Sequence, residues 1–260
     1  MTYELQDLTT GYRTKKCDRV VSRNITASLQ AGTLTCLLGP NGAGKSTLLR
    51  TLAAFQPPLG GSMLLDGRPL DSFSAQELAT RIGVVLTERP DIRGMRVREM
   101  VAMGRCPYTG FWGRMSDEDE AAVDEAIGQV GIRELERRMV HTLSDGERQK
   151  VMIAKVLAQQ TPVIFLDEPT AFLDYPSKVE MLLLLSRLAR EMQKTVFLST
   201  HDLELALQAA DLLWLMDKKA EGIVIGTPKE LASSGDLSSF FSGPGIRFDA
   251  AHLRFTIERT

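Results

Sequence analysis

Hydrophobic and polar positions alternate loosely in YELQDLTTGY, a pattern that predicts an edge strand, and VSRNITASLQ predicts a second strand closed by the Ala31-Gly32 turn. TLTCLLG is instead a continuous apolar run, as expected of a strand buried on both faces. It leads directly into PNGAGKSTLLRTLAAF, a glycine-rich loop followed by a helix, which QPPLGG breaks. SMLLDG and RIGVVL are further short strands. Between residues 88 and 160 the pattern becomes mostly helical. Ser116 with Asp119 opens one helix, whose apolar face is Val123, Ile127 and Val130. After Pro162 strands and helices alternate again: VIFLDE, a helix from Pro176, TVFLST, a helix from Asp202, LLWLM and GIVIG. Such alternation implies an α/β fold with a mainly parallel central sheet covered by helices, interrupted by the helical block. The last stretch, GPGIRFDAAHLRFTIERT, predicts a small hairpin.

Composition narrows the function classes. A chain of 260 residues with 43% apolar and 25% charged residues is that of an ordinary globular protein, and its net charge of −2 lacks the basic footprint of a nucleic-acid binder. The N-terminus lacks the apolar core of a signal peptide. The greasiest run, MLLLLSRLA (181–189), falls far short of the ~20 residues of a membrane span and reads as a buried helix face. Any membrane contact therefore needs a partner. Cys17, Cys36 and Cys106 have neither disulfide nor metal spacing, and Cys36 sits in an apolar strand as a buried reduced thiol, which fits a reducing cytosol.

Two segments carry chemistry. GPNGAGKST, Gly39 to Thr47, matches the phosphate-loop pattern between a predicted strand and helix. Backbone N–H groups from Asn41, Gly42, Ala43 and Gly44 through Thr47 can curl around phosphate oxygens, and the glycines permit the dihedrals this needs. Lys45 would reach the β- and γ-phosphates, and the Ser46 hydroxyl would bind Mg²⁺. In PVIFLDEPT, Asp167 emerges at the C-terminal end of an apolar strand, where α/β sheets bind ligands. Asp167 would hold Mg²⁺ and Glu168 would polarise the attacking water. A third stretch, HTLSDGERQK, reads two ways. Ser144 with Glu147 forms a capping box, and the same helix N-terminus could face a phosphate.

Together these motifs resemble the ATP-binding subunit of ABC transporters over essentially the whole chain. LSDGERQ resembles that family's signature motif, AFLD ending at Asp174 its loop toward the partner subunit, and STHD its switch histidine, here His201. Tyr12, in TTGYRTK, stands where the family stacks an aromatic ring on adenine. The resemblance implies ATP and Mg²⁺ as ligands and a head-to-tail homodimer. In it Ser144, Gly146 and Glu147 of one copy would meet the ATP held by the other, and Glu168 would be the general base. It implies one ABC ATPase domain. Residues 1–87 and 161–230 would form the nucleotide-binding lobe with an antiparallel β subdomain, 88–160 the helical signature lobe, and 231–260 a C-terminal extension. Transmembrane permease subunits and, through them, a substrate-binding protein would be its partners at the cytoplasmic face of the inner membrane, with no nucleic acid.

The sequence departs from the family pattern at two places. Where a metal-sensing glutamine is usual, the chain has Thr87 and then Glu88: threonine is shorter and cannot extend an amide to the metal, and Glu88 is the candidate substitute, with a different charge and offset. Asp145 and Glu147 stand where glycine and glutamine are usual, and Asp145 adds negative charge near a phosphate. VREMVAMGRCPYTGFWGRMSDED resembles the segment of ATPases that drive iron–siderophore, haem and cobalamin import, with Met95, Met100, Met103, Tyr108, Phe111 and Trp112 offering adaptable apolar surface for a permease helix. ATP-driven export is the alternative, with a non-transport ATPase acting on ribosomes or DNA further off.

Overall fold

The computed structural model describes residues 2–14, 17–87, 92–110, 113–217, 222–241, 245–250 and 252–257. In chain order the elements are β1 (Thr2–Tyr12), β2 (Arg19–Gln30), β3 (Leu34–Leu38), α1 (Lys45–Leu52), β4 (Gly60–Leu65), β5 (Arg68–Pro69), α2 (Ala75–Ala79) and β6 (Ile82–Val85). The helical block supplies α3 (Val97–Ala102), α4 (Asp117–Val130) and α5 (Asp145–Ala158). There follow β7 (Val163–Asp167), α6 (Tyr175–Arg190), β8 (Thr195–Thr200), α7 (Leu203–Ala209), β9 (Leu212–Met216) and β10 (Ile223–Gly226). The C-terminal part holds α8 (Pro228–Ser233), α9 (Asp236–Phe240) and the antiparallel hairpin β11 (Ile246–Asp249) with β12 (Arg254–Ile257).

A six-stranded sheet in the order β10-β9-β3-β8-β7-β6 forms the centre. Its strands are parallel except β10, which pairs antiparallel at one edge. Side chains of a strand point alternately to opposite faces, so each apolar run feeds two cores. Leu34, Cys36 and Leu38 join one buried cluster with Ile164, Leu166, Val196, Leu198, Leu213 and Leu215, together with helices α4, α5 and α6. Leu37, Phe165, Phe197 and Trp214 join the other, facing α1 and the antiparallel sheet. On that face Tyr3, Phe165, Phe197 and Trp214 make a chain of edge-to-face ring contacts at centroid distances of 5.6, 5.9 and 5.2 Å. Each such pair adds about 0.5–1.5 kcal/mol beyond its buried area. Burial pushes the Cys36 thiol well above its ordinary range, so it stays protonated.

The antiparallel sheet runs β2-β1-β4-β5, which corrects the expectation that β1 is an edge strand: β1 pairs on both sides. Register shifts between Leu5 and Leu8 and again near Thr10, with Asp7 at φ 48°, break its alternation. That interruption imitates an edge in the sequence.

In the helical block, α4 begins at a reciprocal Ser116–Asp119 capping box and buries Val123, Ile127 and Val130. Met100 is 2% exposed and belongs to the core, so it offers no docking surface; Met103 and Tyr108 are exposed. Phe111 and Trp112 lie outside the described residues. Within the block the buried Arg105 ties the turn after α3 to α4 and to the end of α5, donating to Asp119 at 2.8 Å, to the Ala158 carbonyl at 2.8 Å and to Gln160 at 2.8 Å. In α6 the apolar run does form a buried face, Met181, Leu182, Leu184, Leu185, Leu188 and Ala189, while Leu183 is exposed.

Candidate active site

The site grows from the C-terminal ends of β3, β7 and β8, neighbours in the sheet although distant in sequence. From β3 the chain enters Gly39–Gly44 and then α1. Gly44 sits at φ 110°, and a Cβ there would lie 2.0 Å from Val21 Cγ1 and 3.0 Å from Met216 Cε, so only glycine fits between β2 and β9. Helix α1 has no side-chain cap and no acidic residue in its first turn. Its first N–H groups therefore stay open toward an anion, and the positive end of the helix dipole favours one. In the loop Asn41 and Gly42 are exposed and Ala43 is buried; Ser46 is exposed on the first turn and Thr47 is buried.

Lys45 is only 6% exposed, with Nζ donating to the Gly39 carbonyl at 2.8 Å and lying 3.7 Å from Glu168 Oε1. The other Glu168 oxygen, Oε2, is 3.0 Å from His201 Nδ1. Glu168 thus spans the lysine and the histidine. Its φ of 49° is left-handed, a costly conformation for a residue with a side chain and one that gathers at functional sites. Asp167 is buried, and its Oδ1 accepts the Ser199 hydroxyl at 2.6 Å. The same Ser199 oxygen accepts the Glu168 N–H at 3.0 Å, so one fully buried hydroxyl orients both acids. Ser199 was not singled out by sequence; its signal is a polar residue in an apolar strand two positions before His201. Tyr12 closes the group on the other side: its ring is 46% exposed and its hydroxyl shares a 2.7 Å hydrogen bond with Thr47 Oγ1.

The Thr87 hydroxyl donates to the Asp167 carbonyl at 2.8 Å, which latches β6 to the acidic strand end through the backbone. Glu88 lies outside the described residues.

Ser144, Gly146, Glu147 and Asp174 are not in this group. They line a separate cleft of about 330 Å³ between the start of α5 and the start of α6, whereas Gly39, Pro40, Asn41, Glu168 and His201 line another of about 440 Å³. Both readings of Ser144 meet a definite geometry. The Glu147 N–H donates to Ser144 Oγ at 3.3 Å and Ser144 N–H donates to Glu147 Oε2 at 2.8 Å, a complete capping box. The Ser144 N–H, the Ser144 hydroxyl and the nearby Arg138 hold the Glu147 carboxyl below its usual range. Asp174 caps α6 by accepting the Ser177 N–H at 3.1 Å, and this lowers its own pKa. Before it, Phe172 is 71% exposed at φ 65°.

Comparison with known proteins gives consistent results. A family described as ABC transporter matches residues 22–171, more than half of the chain. The chain is 39% identical over 230 residues to the ferric enterobactin transport ATP-binding protein FepC of Escherichia coli, covering 88% of this chain and 83% of that protein. It is likewise 39% identical over 234 residues to the hemin import ATP-binding protein HmuV of Streptomyces coelicolor, covering 90% and 82%. Among solved structures, cbiO1 of Clostridium perfringens, part of the ABC transporter complex cbiONQ, superimposes with a TM-score of 0.76 at 29% identity, covering 90% of this chain and 92% of that one.

Proposed function

Because the chain belongs to the ABC transporter family, as one of its ATP-hydrolysing subunits, we propose that the cleft between the phosphate loop, Glu168 and His201 hydrolyses ATP to power import of an iron chelate, a siderophore complex or haem, with cobalamin as the related cargo. The observation that carries this reading is the carboxylate of Glu168 held between Lys45 and His201 beside an uncapped helix N-terminus. The relatives named above supply the cargo class, since one serves ferric enterobactin transport and the other hemin import.

The chemistry follows from the charges. A triphosphate competes for Lys45 with more negative charge than the single carboxylate of Glu168 carries, so its β- and γ-phosphates draw Lys45 away while the N–H groups of 41–47 bind their oxygens. Glu168, released on that side and still oriented by Ser199 and His201, takes a proton from water. The water oxygen bonds to the γ-phosphorus, the bond to the β–γ bridging oxygen breaks, and ADP leaves with that electron pair. A general base of this kind contributes roughly 10²- to 10⁴-fold. Among the described residues no group of three or more His, Cys, Asp or Glu forms a metal cage. The hard oxygen donors on hand, Ser46 and Asp167, fit an ion such as Mg²⁺ that keeps water and phosphate oxygens in its shell. When bound, that ion neutralises charge on the β- and γ-oxygens.

Ser144 and Gly146 line a different cleft from the phosphate loop, so they complete the site only in a head-to-tail homodimer, the N-terminus of α5 in one copy meeting ATP on the other. Tyr12 stacks on adenine, and Asp174 lies in the loop that faces the partner. Among the described residues no helix is long and apolar enough to cross a membrane, so the transport pathway belongs to permease subunits, fed by a substrate-binding protein, and this subunit docks at their cytoplasmic face.

The test is Mg²⁺-dependent ATP hydrolysis by the purified protein, with Lys45→Ala abolishing it and Glu168→Gln retaining ATP as a closed dimer with turnover lowered roughly 10²- to 10⁴-fold. Unchanged hydrolysis in Lys45→Ala overturns the site. Uptake by proteoliposomes containing the cognate permease, offered ferric siderophore, haem and cobalamin in turn, tests the cargo.

A further inference from the structure

The cleft that holds Glu168 and His201 has an unexpected wall. Besides Gly39, Pro40, Asn41 and Asp217, it is lined by Phe240 and Phe241, at the end of α9. These two rings come from the C-terminal part of the chain, which the phosphate-binding motifs do not require.

Their position is built. Leu237, three residues before Phe240, is fully buried in the main core, and Leu231 and Ala232 of α8 are buried with it. Phe240 and Phe241 pack against each other edge-to-face with centroids 4.7 Å apart, and Phe241 contacts Phe255 at 5.5 Å. Phe255 in turn packs against Phe248 at 4.7 Å across the β11–β12 hairpin. A continuous row of rings thus runs from the hairpin to the mouth of the cleft. Both phenylalanines are half-buried, packed on one side against the core and turned on the other toward the cavity.

We propose that Phe240 and Phe241, braced by the C-terminal hairpin through Phe255, are positioning residues for hydrolysis: they form the apolar wall that limits bulk water around Glu168 and His201. The proposal rests on the reading of Glu168 as the general base. An apolar wall makes no hydrogen bonds, so it leaves the attacking water to the carboxylate and strengthens each charge interaction inside the cleft. The nucleotide's own contacts in this reading are with the loop and α1, and the two rings contribute none of them. Loss of the wall therefore lowers turnover and spares binding.

The experiment compares the full-length wild type with the double variant Phe240→Ser/Phe241→Ser, Phe241→Leu, Phe255→Ala and Glu168→Gln. The double serine variant should lose turnover roughly tenfold, a fraction of what the base itself contributes, with KM for ATP and affinity for a fluorescent ATP analogue within twofold of wild type. Phe241→Leu, which keeps the wall apolar, should retain most of the rate, and Phe255→Ala, remote from the cleft, should shift kcat in the same direction as the double variant. Wild-type turnover in the double variant, parallel loss of kcat and nucleotide affinity, or failure of leucine to rescue overturns the proposal. Glu168→Gln separates the two ideas: if it hydrolyses at the wild-type rate, the base reading itself fails; if it is inactive while the double variant is normal, the wall alone fails. Should the double variant not fold, the single variants Phe240→Ser and Phe241→Ser decide: each should lower kcat with KM for ATP within twofold of wild type, and a wild-type kcat in both overturns the wall.

Discussion

Ser144 offers the sharpest separation of a structural role from a chemical one, because the two differ in size and assay. Replacing Ser144 by alanine removes the acceptor for the Glu147 N–H at 3.3 Å and a donor to Glu147 Oε2 at 2.9 Å. Losing such an N-cap costs ~1 kcal/mol, within about 0.5–2. A domain with roughly 5–15 kcal/mol of stability stays more than ~99% folded after that loss, so it cannot by itself lower turnover. If Ser144 also donates to the γ-phosphate of a second copy, the lost charge-assisted bond is worth about 1.5–3 kcal/mol, or about 10- to 150-fold in rate. Ser144→Asp sharpens the contrast, since aspartate caps as well as serine but sets a carboxylate against the phosphate. The expected stability order by urea unfolding is wild type and Ser144→Asp above Ser144→Ala. The expected order of Mg²⁺-ATP hydrolysis is wild type far above Ser144→Ala, with Ser144→Asp at or below it. Hydrolysis that follows the stability order would refute the contact with nucleotide and leave Ser144 as a cap.

Gly44→Ala should destabilise the protein by about 2 kcal/mol or more, from left-handed strain and the clash with Val21, and abolish binding of a fluorescent ATP analogue; near-normal affinity would show that the loop tolerates a side chain. Arg105→Ala removes the cation beside Asp119 together with the bonds to the Ala158 carbonyl and Gln160, and should lower the urea midpoint more than loss of a surface arginine such as Arg68; equal shifts in the two variants would contradict this role. The capping carboxylates set the acid limit. Glu77 is lowered to about 2 by the Ser74 N–H, its hydroxyl and Arg68, while Asp119, Glu147, Asp174 and Glu230 are lowered by their own caps. A depressed folded-state pKa stabilises above the unfolded value and loses that contribution as pH falls through the folded value. Unfolding free energy should therefore be level above about pH 5 and fall steadily toward pH 2; a curve level down to pH 2 would contradict these pairings.

Much of the protein is local in character, and that part was legible in the sequence. Short apolar runs bounded by turns, such as TLTCLLG and VIFLD, read as strands covered on both faces, and Ser116-x-x-Asp119 and Ser144-x-x-Glu147 read as helix starts. The loop from Gly39 to Thr47 and the paired acids Asp167-Glu168 are readable because phosphate binding needs consecutive residues. The order of strands is another matter. The loose alternation of β1 suggested an edge, yet register shifts against both neighbouring strands, not exposure, produce it, and β4 pairs on its far side.

Tertiary structure alone decided the contacts that turn these motifs into a site. Parallel strands β3, β8 and β7 lie side by side although long crossovers separate them in sequence. That neighbourhood puts the Ser199 hydroxyl 2.6 Å from Asp167 and His201 3.0 Å from Glu168, across sequence separations of 32 and 33 residues. It also seats Phe240 and Phe241 in the same cleft and gives Ser144 a different one. Periodicity records which face of an element is buried, but not which distant element buries it; that depends on how the chain crosses over to close one sheet, and no single stretch of residues encodes it.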